Sequence, residues 1–356
     1  MENDIEMLPL QQHPTEHQIP VTVNKNFKSR LKSGFQTFKK NESNNNQSKK
    51  YCSSKNLATN VKINPDHSME GFNVDYFGVN NSTFLQMESK FLPEILNNGY
   101  VERNKNIGAS EYQLEQLMSS FDPNLIPVTY TLAKEFALFE NWYSSIPGPT
   151  IPNRAYLHSH TSHGVTKNDV KTSFFGFPQK TFWEVLISFV DPTYGIIPWR
   201  KKYQNDGHTT MYGSDYLLTE QLLKEVYEAL RSSPQWDNLL FIVTFDESGG
   251  FPDHVAPPIN VPRPDFITGD NGFLFDRLGS RVPTIMISPW IQKGRIVKRN
   301  EHVATAGEFE HISISTTLFK LFGIQESLSQ RSDWALTFEF LFKELNSSRL
   351  DCPLLL

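Results

Sequence analysis

Two neighbouring acids, Asp246 and Glu247, directly follow an apolar run at 239–245 that is typical of a buried β-strand. In α/β folds with parallel sheets, ligands bind beyond the carboxyl ends of the strands, so these carboxylates stand where a site is expected. Two carboxylates can hold a divalent cation, which polarises phosphoryl oxygens. The alternative is a strand-capping turn with solvated acids, and these residues alone do not decide between the two.

Thr150 lies in a proline-rich turn, between Pro149 and Pro152. The prolines restrict the backbone and so fix the direction of the hydroxyl. A hydroxyl becomes a nucleophile when a base or a metal activates it. The next two side chains, Asn153 and Arg154, can bind phosphoryl oxygens, and the planar guanidinium suits phosphate especially well. Thr150 is therefore a candidate nucleophile, although such a turn also has a purely structural interpretation.

The histidines are the remaining candidates for proton transfer or metal binding. His254 lies within one loop length of the acid pair and could bind metal, orient an acid or donate a proton. His158, His160 and His163 cannot all share one face of a helix or strand, which favours loop or core histidines over a metal site. For His311 we predict only a place at the start of a helix.

The elements that must position these residues follow from periodicity and turn signals. Helical spacing predicts helices over 110–122, 128–138, 219–232 and 312–322. Short apolar runs predict strands over 139–143, 239–245 and 282–288. Because a helix precedes a fully buried strand, we predict an α/β fold with a parallel sheet.

Composition and charge exclude several classes of function. The net charge of -5 and the pI near 6.1 give no strongly basic face, so nucleic acid is not an expected partner. The two cysteines, Cys52 and Cys352, form no zinc-binding motif. No apolar stretch reaches the roughly 18 residues of a membrane span, and none at the start reads as a signal peptide. We expect a cytoplasmic or peripheral membrane protein.

The domain organisation is one large domain with polar ends. Residues 1–60 include a low-complexity Asn/Ser/Lys stretch, and we expect most of them to be disordered. The catalytic domain is predicted at 61–345, followed by a tail at 346–356. The basic stretch at 25–55 could touch anionic lipid or be a solvated tail.

Several ordered segments resemble one family. Residues 139–164 read FENWYSSIPGPTIPNRAYLHSHTSHG, and residues 230–254 read LRSSPQWDNLLFIVTFDESGGFPDH. Together with DRLGSRVPTIMISPWIQKG at 276–294 and shorter motifs at 309–312 and 331–339, these segments resemble the non-specific phospholipase C family of plants and its bacterial phospholipase C and acid phosphatase relatives. The resemblance runs from about residue 60 to about residue 340, with interruptions.

The resemblance implies an alkaline-phosphatase-like three-layer α/β/α sandwich with a mostly parallel central sheet. It implies hydrolysis of phospholipid phosphodiesters to diacylglycerol and a phosphorylated head group, with Thr150 as nucleophile and a divalent metal ion on Asp246, Glu247 and Thr150. The segment at 66–68 resembles the element that brings an active-site histidine, His67, and the segment at 205–208 weakly resembles a second one, with His208. In this interpretation Asn153 is catalytic, whereas Arg154 and His254 bind substrate.

Three departures from the family pattern keep alternatives open. The opening Glu-Asn-Arg motif, which supplies further metal contacts and the first strand, is not found in residues 1–60. Ser248 stands where the family has His after the acid pair, and the stretch between Gln179 and His208 is short. The alternatives are an acid-phosphatase-like phosphomonoesterase and a catalytically impaired lipid-binding protein on the same scaffold.

Overall fold

A computed structural model describes residues 58, 61, 63–169, 176–185, 215–299 and 307–356. The chain divides into two units, Met1–Gln36 and Thr37–Leu356, and every described residue belongs to the second. The expectations for residues 1–57, and the site prediction for His208, lie outside the described residues.

Four strands, β1 Ala137–Phe139, β3 Phe241–Thr244, β4 Thr284–Ile287 and β5 Arg295–Val297, form one sheet. Their order across the sheet is β3-β4-β1-β5. β1 runs parallel to β5, whereas β4 is antiparallel to both β1 and β3. The described sheet is therefore mixed, and the expectation of a mostly parallel sheet is wrong for it. The physical reason is the connection over 245–283, which contains no helix. Parallel neighbours need a long crossover that is usually helical.

A second, two-stranded sheet joins β2, Trp142–Tyr143, to β6, Phe309–Glu310, in parallel. The predicted strand over 139–143 is thus divided between the two sheets, and the helix expected to reach residue 138 ends at Glu135 instead. Pairing of residue 137 with Met286 and Arg295 takes this stretch into a strand. Tertiary pairing here overrides the helical spacing of the apolar residues.

Nine α-helices and three 3-10 helices surround these sheets in the described part of the chain. The α-helices are α1 Met69–Phe77, α2 Thr83–Gln86, α3 Tyr100–Asn106, α4 Glu111–Leu117, α5 Pro127–Glu135, α6 Thr150–Ser159, α7 Phe182–Val185, α8 Tyr216–Arg231 and α9 Ile312–Leu321. The 3-10 helices are Ser89–Phe91, Trp236–Asn238 and Glu339–Lys343. No described helix has both the length and the apolar character that crossing a membrane requires.

Local signals explain where several helices begin. Ser68 caps α1 by accepting a hydrogen bond from the Gly71 backbone N–H, and Ser110 forms a capping box with Gln113 at α4. Helix α5 is capped from outside its own segment. The buried carboxylate of Glu220, on α8, accepts hydrogen bonds from the backbone N–H groups of Val128 (2.7 Å) and Thr129 (3.2 Å). This contact fixes α5 against α8 beside the sheet.

The core lies on both faces of the four-stranded sheet. Ile285 and Ile287 of β4 pack with α5 and α8 residues on one face, whereas Met286 packs on the other with Trp142 and Phe338. This alternation is the period-2 pattern of a strand that is buried on both sides. Strand β3 lies at one end of the described sheet and its four residues are only half-buried, so the prediction of a fully buried strand before the acid pair is wrong. Its apolar side chains still pack against both parts of the core, and the acids follow shortly after it.

Candidate active site

The acid pair lies at the end of β3, where the sequence predicts it. Asp246 and Glu247 follow Thr244 by two and three positions, and the Glu247 side chain turns inward, with 4% of the residue exposed. The backbone N–H of Gly249 donates to Glu247 Oε2 over 2.7 Å. Gly249 and Gly250 have φ values of 66° and 72°, a conformation that side chains other than glycine rarely adopt. The glycines thus let the backbone fold around this carboxylate.

Burial and, to a smaller extent, the neighbouring Asp246 carboxylate together raise the pKa of Glu247 to about 8. Backbone N–H groups of Gly249 and Gly250 oppose this rise, as does the Arg154 guanidinium, more weakly. Two neighbouring carboxylates, one of them removed from water, form an environment that additional positive charge would stabilise.

Thr150 is the first residue of helix α6, and a buried asparagine fixes the turn before it. The Asn153 side chain accepts from the Ile146 N–H (3.1 Å) and donates to the Gly148 and Pro149 carbonyls (2.8 and 3.2 Å). On the other side, a methyl group added at Gly148 would lie 3.1 Å from Met69 Cγ, so this turn is packed as well as hydrogen-bonded. The predicted catalytic residue Asn153 therefore holds the turn, and its catalytic role stays a prediction.

Arg154 connects helix α6 to the acid pair. Its Nε donates to Asp246 Oδ2 over 3.0 Å, while 60% of its side chain is exposed. Residues four apart on a helix share one face, so Thr150 lies on the face of α6 that Arg154 presents to Asp246. The structure thus brings together the turn carrying the candidate nucleophile, the guanidinium and one of the two acids.

His67 lies on a segment that packs against the acid-bearing loop. Its Nδ1 is 3.1 Å from the Pro65 carbonyl oxygen, so this nitrogen is the donor. Pro65 in turn contacts Gly250 so closely that a methyl group at Gly250 would lie 2.8 Å from Pro65 Cβ. The next residue, Asp66, lies 3.9 Å from the buried guanidinium of Arg103. The His67 segment therefore forms a wall beside the loop that contains Glu247.

His311 is a residue of this site for which sequence reasoning predicts only the start of a helix. Its Nε2 lies 2.7 Å from the backbone oxygen of Asp246, so that nitrogen carries the proton. Burial lowers the pKa of His311, which keeps the ring neutral. Its buried Nδ1 has no hydrogen-bond partner among the described residues. The sequence contains one signal for His311: the polar pair Glu310-His311 stands between apolar residues at the start of a predicted helix.

The other predicted histidines have different surroundings. His254 Nδ1 is 3.5 Å from Asp253 Oδ1, and Asp253 forms a two-pronged ion pair with Arg281. His160 is buried between the hydroxyls of Ser315 (2.5 Å) and Ser332 (2.6 Å). The indole N–H of Trp183 donates a hydrogen bond to His158 Nδ1. The backbone N–H of His163 donates one to the Thr161 hydroxyl.

The acid pair fits a divalent cation in part. Glu247 is a desolvated carboxylate beside a second one, and Mg²⁺ typically binds one or two carboxylates together with substrate phosphate and water. Over the ranges that the structure describes, however, no cluster of at least three His, Cys, Asp or Glu side chains is arranged to hold a metal. The two acids can therefore anchor a cation whose remaining ligands come from Thr150, water or substrate.

Comparison with known proteins shows which family this chain is similar to. A family model described as the Phosphoesterase family matches residues 15–188 and 186–325, beginning well before the motifs at residue 60. Non-specific phospholipase C6 of Arabidopsis thaliana is 37% identical over 349 residues, covering 83% of this chain and 64% of the relative. For non-specific phospholipase C1 of the same plant the identity is 35% over 347 residues, covering 82% and 62%.

A bacterial relative is similar over a shorter stretch. Hemolytic phospholipase C of Pseudomonas aeruginosa is 33% identical over 118 residues, which cover 30% of this chain and 15% of that protein. The chain spans less than two thirds of the length of the plant relatives it matches. Because the family match covers most of the chain, this protein belongs to the phosphoesterase family.

Proposed function

We propose that this chain hydrolyses phosphodiester bonds of phospholipids, releasing diacylglycerol and a phosphorylated head group. The observation that carries the proposal is the 3.0 Å contact between Arg154 Nε and Asp246 Oδ2. Arg154 lies one turn beyond Thr150 on α6, so this contact joins the hydroxyl-bearing turn to the acid pair. The names of the relatives, non-specific phospholipase C and hemolytic phospholipase C, support phospholipid as the substrate class.

In the proposed reaction, the Thr150 oxygen attacks phosphorus, and the bond between phosphorus and the diacylglycerol oxygen breaks. Diacylglycerol leaves with a proton, and the head-group phosphate remains esterified to Thr150. Water then attacks the same phosphorus, releasing the phosphorylated head group and restoring the hydroxyl. Dividing one displacement into two makes each step easier.

The chain's own groups bind phosphate and transfer the protons. Arg154, with 60% of its side chain exposed, binds phosphoryl oxygens through its planar guanidinium. His67 gives a proton to the departing diacylglycerol oxygen and accepts one from the attacking water. We assign this exchange to Nε2, because Nδ1 faces the Pro65 carbonyl. His208 is proposed as a second proton carrier and His254 as a substrate contact.

A divalent cation held by Asp246, Glu247 and Thr150 would supply positive charge that eases deprotonation of the hydroxyl and offsets charge on the phosphoryl oxygens. The buried carboxylate of Glu247 supports this assignment, because a neighbouring cation would favour its charged form.

We also propose the layer arrangement of the fold. Helices α5 and α8 on one face of the sheet, and α9 with the two-stranded sheet towards the other, support an alkaline-phosphatase-like three-layer sandwich. We propose that the protein is located in the cytoplasm or at the surface of a membrane, where a peripheral protein can reach phosphodiester head groups.

The test is an assay on phosphatidylcholine, a chromogenic phosphodiester and a phosphomonoester, with and without added Mg²⁺ or another divalent cation. We expect the parent chain to release diacylglycerol and Thr150→Ala to lose this activity by at least about a thousandfold, since the nucleophile is removed. Thr150→Ser, which keeps a hydroxyl, is the matched control. Equal diacylglycerol release by the parent and Thr150→Ala would contradict the proposal.

The same assay separates the alternatives. Turnover of the monoester alone would identify a phosphomonoesterase. The absence of the family's Glu-Asn-Arg motif from residues 1–60 favours the third possibility, a catalytically impaired lipid-binding protein. Lipid binding without turnover under any metal would support it.

A further inference from the structure

Phe266 is the most exposed aromatic side chain among the described residues, with 85% of its surface open to solvent. Scattered exposed aliphatic residues are ordinary on soluble proteins. An almost fully exposed phenylalanine is different, because burying such a ring would remove a large apolar area from water. The exposure of Phe266 therefore keeps a large apolar surface in contact with water.

The loop that carries Phe266, residues 262–270, is held in one conformation and is here called the rim loop. The backbone N–H of Ile267 donates to Asp265 Oδ1 over 2.9 Å, and Arg263 Nη2 donates to the Ile267 carbonyl over 3.0 Å. The Gln330 N–H donates to the Pro264 carbonyl over 3.1 Å. These bonds close the backbone on both sides of Phe266, so the ring is exposed by the fold of the loop.

The rim loop lies along the strip of chain that follows helix α6, residues 161–168. At one end, the Thr161 hydroxyl donates to Asp265 Oδ2 over 2.5 Å. In the middle, a methyl group at Gly164 would lie 2.9 Å from Ile267 Cγ2. At the other end, Lys167 Nζ lies 2.7 Å from Asp270 Oδ2. The rim loop is thus attached to this strip along its whole length.

The strip returns to the start of α6, where the candidate nucleophile lies. Asn168 Oδ1 accepts a hydrogen bond from the Ile151 backbone N–H over 2.8 Å, and Ile151 is the residue after Thr150. A continuous set of contacts therefore runs from Thr150 to the rim loop. The Asp270 end of the rim loop is the end connected most directly to Thr150, because its partner Lys167 precedes Asn168.

The charges along the rim loop suit a phospholipid surface in part. Both carboxylates of the rim loop are engaged within the protein, Asp265 by Thr161 and Asp270 by Lys167 and Thr166. Lys167 partly neutralises Asp270, whereas the Thr161 hydroxyl occupies one oxygen of Asp265 and leaves its charge in place. Lys167 keeps 71% of its side chain exposed and can face anionic head-group oxygens.

We infer that Phe266 is an interfacial anchor that inserts into a phospholipid surface and holds the mouth of the candidate active site against the head groups. The inference rests on the proposed function, since a phospholipid phosphodiester lies at the membrane–water interface and Thr150 must reach it there. A ring fixed beside that mouth buries its apolar surface among acyl chains while the reacting group stays at head-group depth.

The test measures vesicle binding without hydrolysis. Full-length chain carrying Thr150→Ala is mixed with phosphatidylcholine vesicles, and bound protein is quantified by flotation. Adding Phe266→Ala is expected to lower the vesicle partition coefficient at least about tenfold, because the apolar contact of one ring is removed. Phe266→Trp, which keeps an interfacial aromatic ring, should restore binding.

The matched control is Phe322→Ala, since Phe322 is a second phenylalanine with 62% exposure. Phe322 lies at the end of α9, outside the rim loop, so its removal should leave the partition coefficient unchanged. Undiminished binding of Phe266→Ala, or an equal loss in the Phe322→Ala control, would overturn the inference. Circular dichroism of each variant verifies that the fold is intact.

A second readout separates this inference from the proposed function. On a short-chain, fully soluble phosphodiester, Phe266→Ala in the otherwise native chain should be as active as the parent. If the chain hydrolyses no phosphodiester but its vesicle binding still depends on Phe266, the proposed function fails and the anchor stands. If phosphatidylcholine is hydrolysed and vesicle binding does not depend on Phe266, the anchor fails alone.

Discussion

Two arginines, one in the candidate site and one beside the His67 segment, are paired with carboxylates in different ways. Arg154 meets Asp246 at the surface, with 60% of the arginine side chain exposed. Arg103 is buried, and its Nε and Nη2 donate to the two carboxylate oxygens of Asp75, each over 2.7 Å. An exposed ion pair contributes little to folding, whereas breaking a buried one leaves an uncompensated charge in the core. The two arginines should therefore respond to mutation in opposite ways.

For Arg154→Ala we expect kcat/KM on phosphatidylcholine to fall by about ten- to hundredfold, because a guanidinium that binds phosphoryl oxygens is lost. The melting temperature should change little, since an exposed pair is worth about 0–1 kcal/mol. Lys180→Ala breaks another exposed pair, with Glu326, and is the control. A large drop in melting temperature with unchanged kinetics would contradict this assignment.

For Arg103→Met we expect the free energy of unfolding to fall by about 3–5 kcal/mol, because Asp75 is left buried without its cation. Burial already raises the pKa of Asp75 to about 6, although Arg103 lowers it. Urea denaturation measures the loss. Adding Asp75→Asn should recover part of the stability by removing the stranded charge, and a double variant no more stable than Arg103→Met would refute the explanation.

Among the helices and strands, helix α6 positions three of the candidate site residues, Thr150, Asn153 and Arg154. Its first residue is Thr150 and its first turn contains Asn153. The Asn153 side chain closes the preceding turn by accepting a hydrogen bond from the Ile146 N–H and donating one to the Gly148 carbonyl. The Asn153 side chain therefore helps to fix the direction of the Thr150 hydroxyl at the start of the helix.

For Asn153→Ala we expect a loss of about 2–4 kcal/mol in unfolding free energy, because buried N–H and C=O groups of the turn lose their partners. We also expect a fall in kcat that is larger than the change in KM, since the nucleophile is misdirected while Arg154 remains. Asn153→Asp keeps one acceptor but loses the donors, so it should not rescue kcat. Full activity in either variant would show that the turn holds without this side chain.

The sequence predicts these elements unevenly, for physical reasons. The apolar run before Asp246 contains strand β3, and the amphipathic pattern at 219–232 lies largely within helix α8. Both patterns are local and strong. The strand directions are not local: β4 has the same apolar composition whether it pairs parallel or antiparallel. Similarly, no sequence pattern indicates that Arg154 contacts Asp246, 92 positions away.

At the scale of the whole molecule, buried titratable groups link stability to pH. Burial lowers the pKa of His160 from 6.5 to about 3, so the folded chain keeps this ring neutral between two serine hydroxyls. The unfolded chain takes up a proton there below pH 6.5, and the folded chain does not. The stability from this group is therefore complete above pH 6.5 and is lost progressively as the pH falls towards 3.

We expect His160→Gln to remove up to about 1.4 kcal/mol per pH unit from the slope of unfolding free energy against pH below the histidine's usual pKa. The variant should be less stable than the parent at pH 7.5, because buried hydrogen bonds change. Urea denaturation over a pH series measures the slope. The raised pKa of Asp75 gives a contribution to the slope of opposite sign in the same pH range. This contribution is common to parent and variant, so the difference between their two slopes reports on His160. Parallel slopes would contradict the assignment.

The contact between Pro65 and Gly250 has a consequence for the order of folding. It joins chain segments that are far apart in sequence, as do the contacts of Asp246 with Arg154 and His311, 92 and 65 positions away. Closing such long loops is slow relative to forming helices. The proposed hydrolytic activity should therefore return late in refolding from urea, after the far-ultraviolet dichroism signal has recovered. At that stage the helices would be formed while the long-range contacts of the candidate active site are still missing.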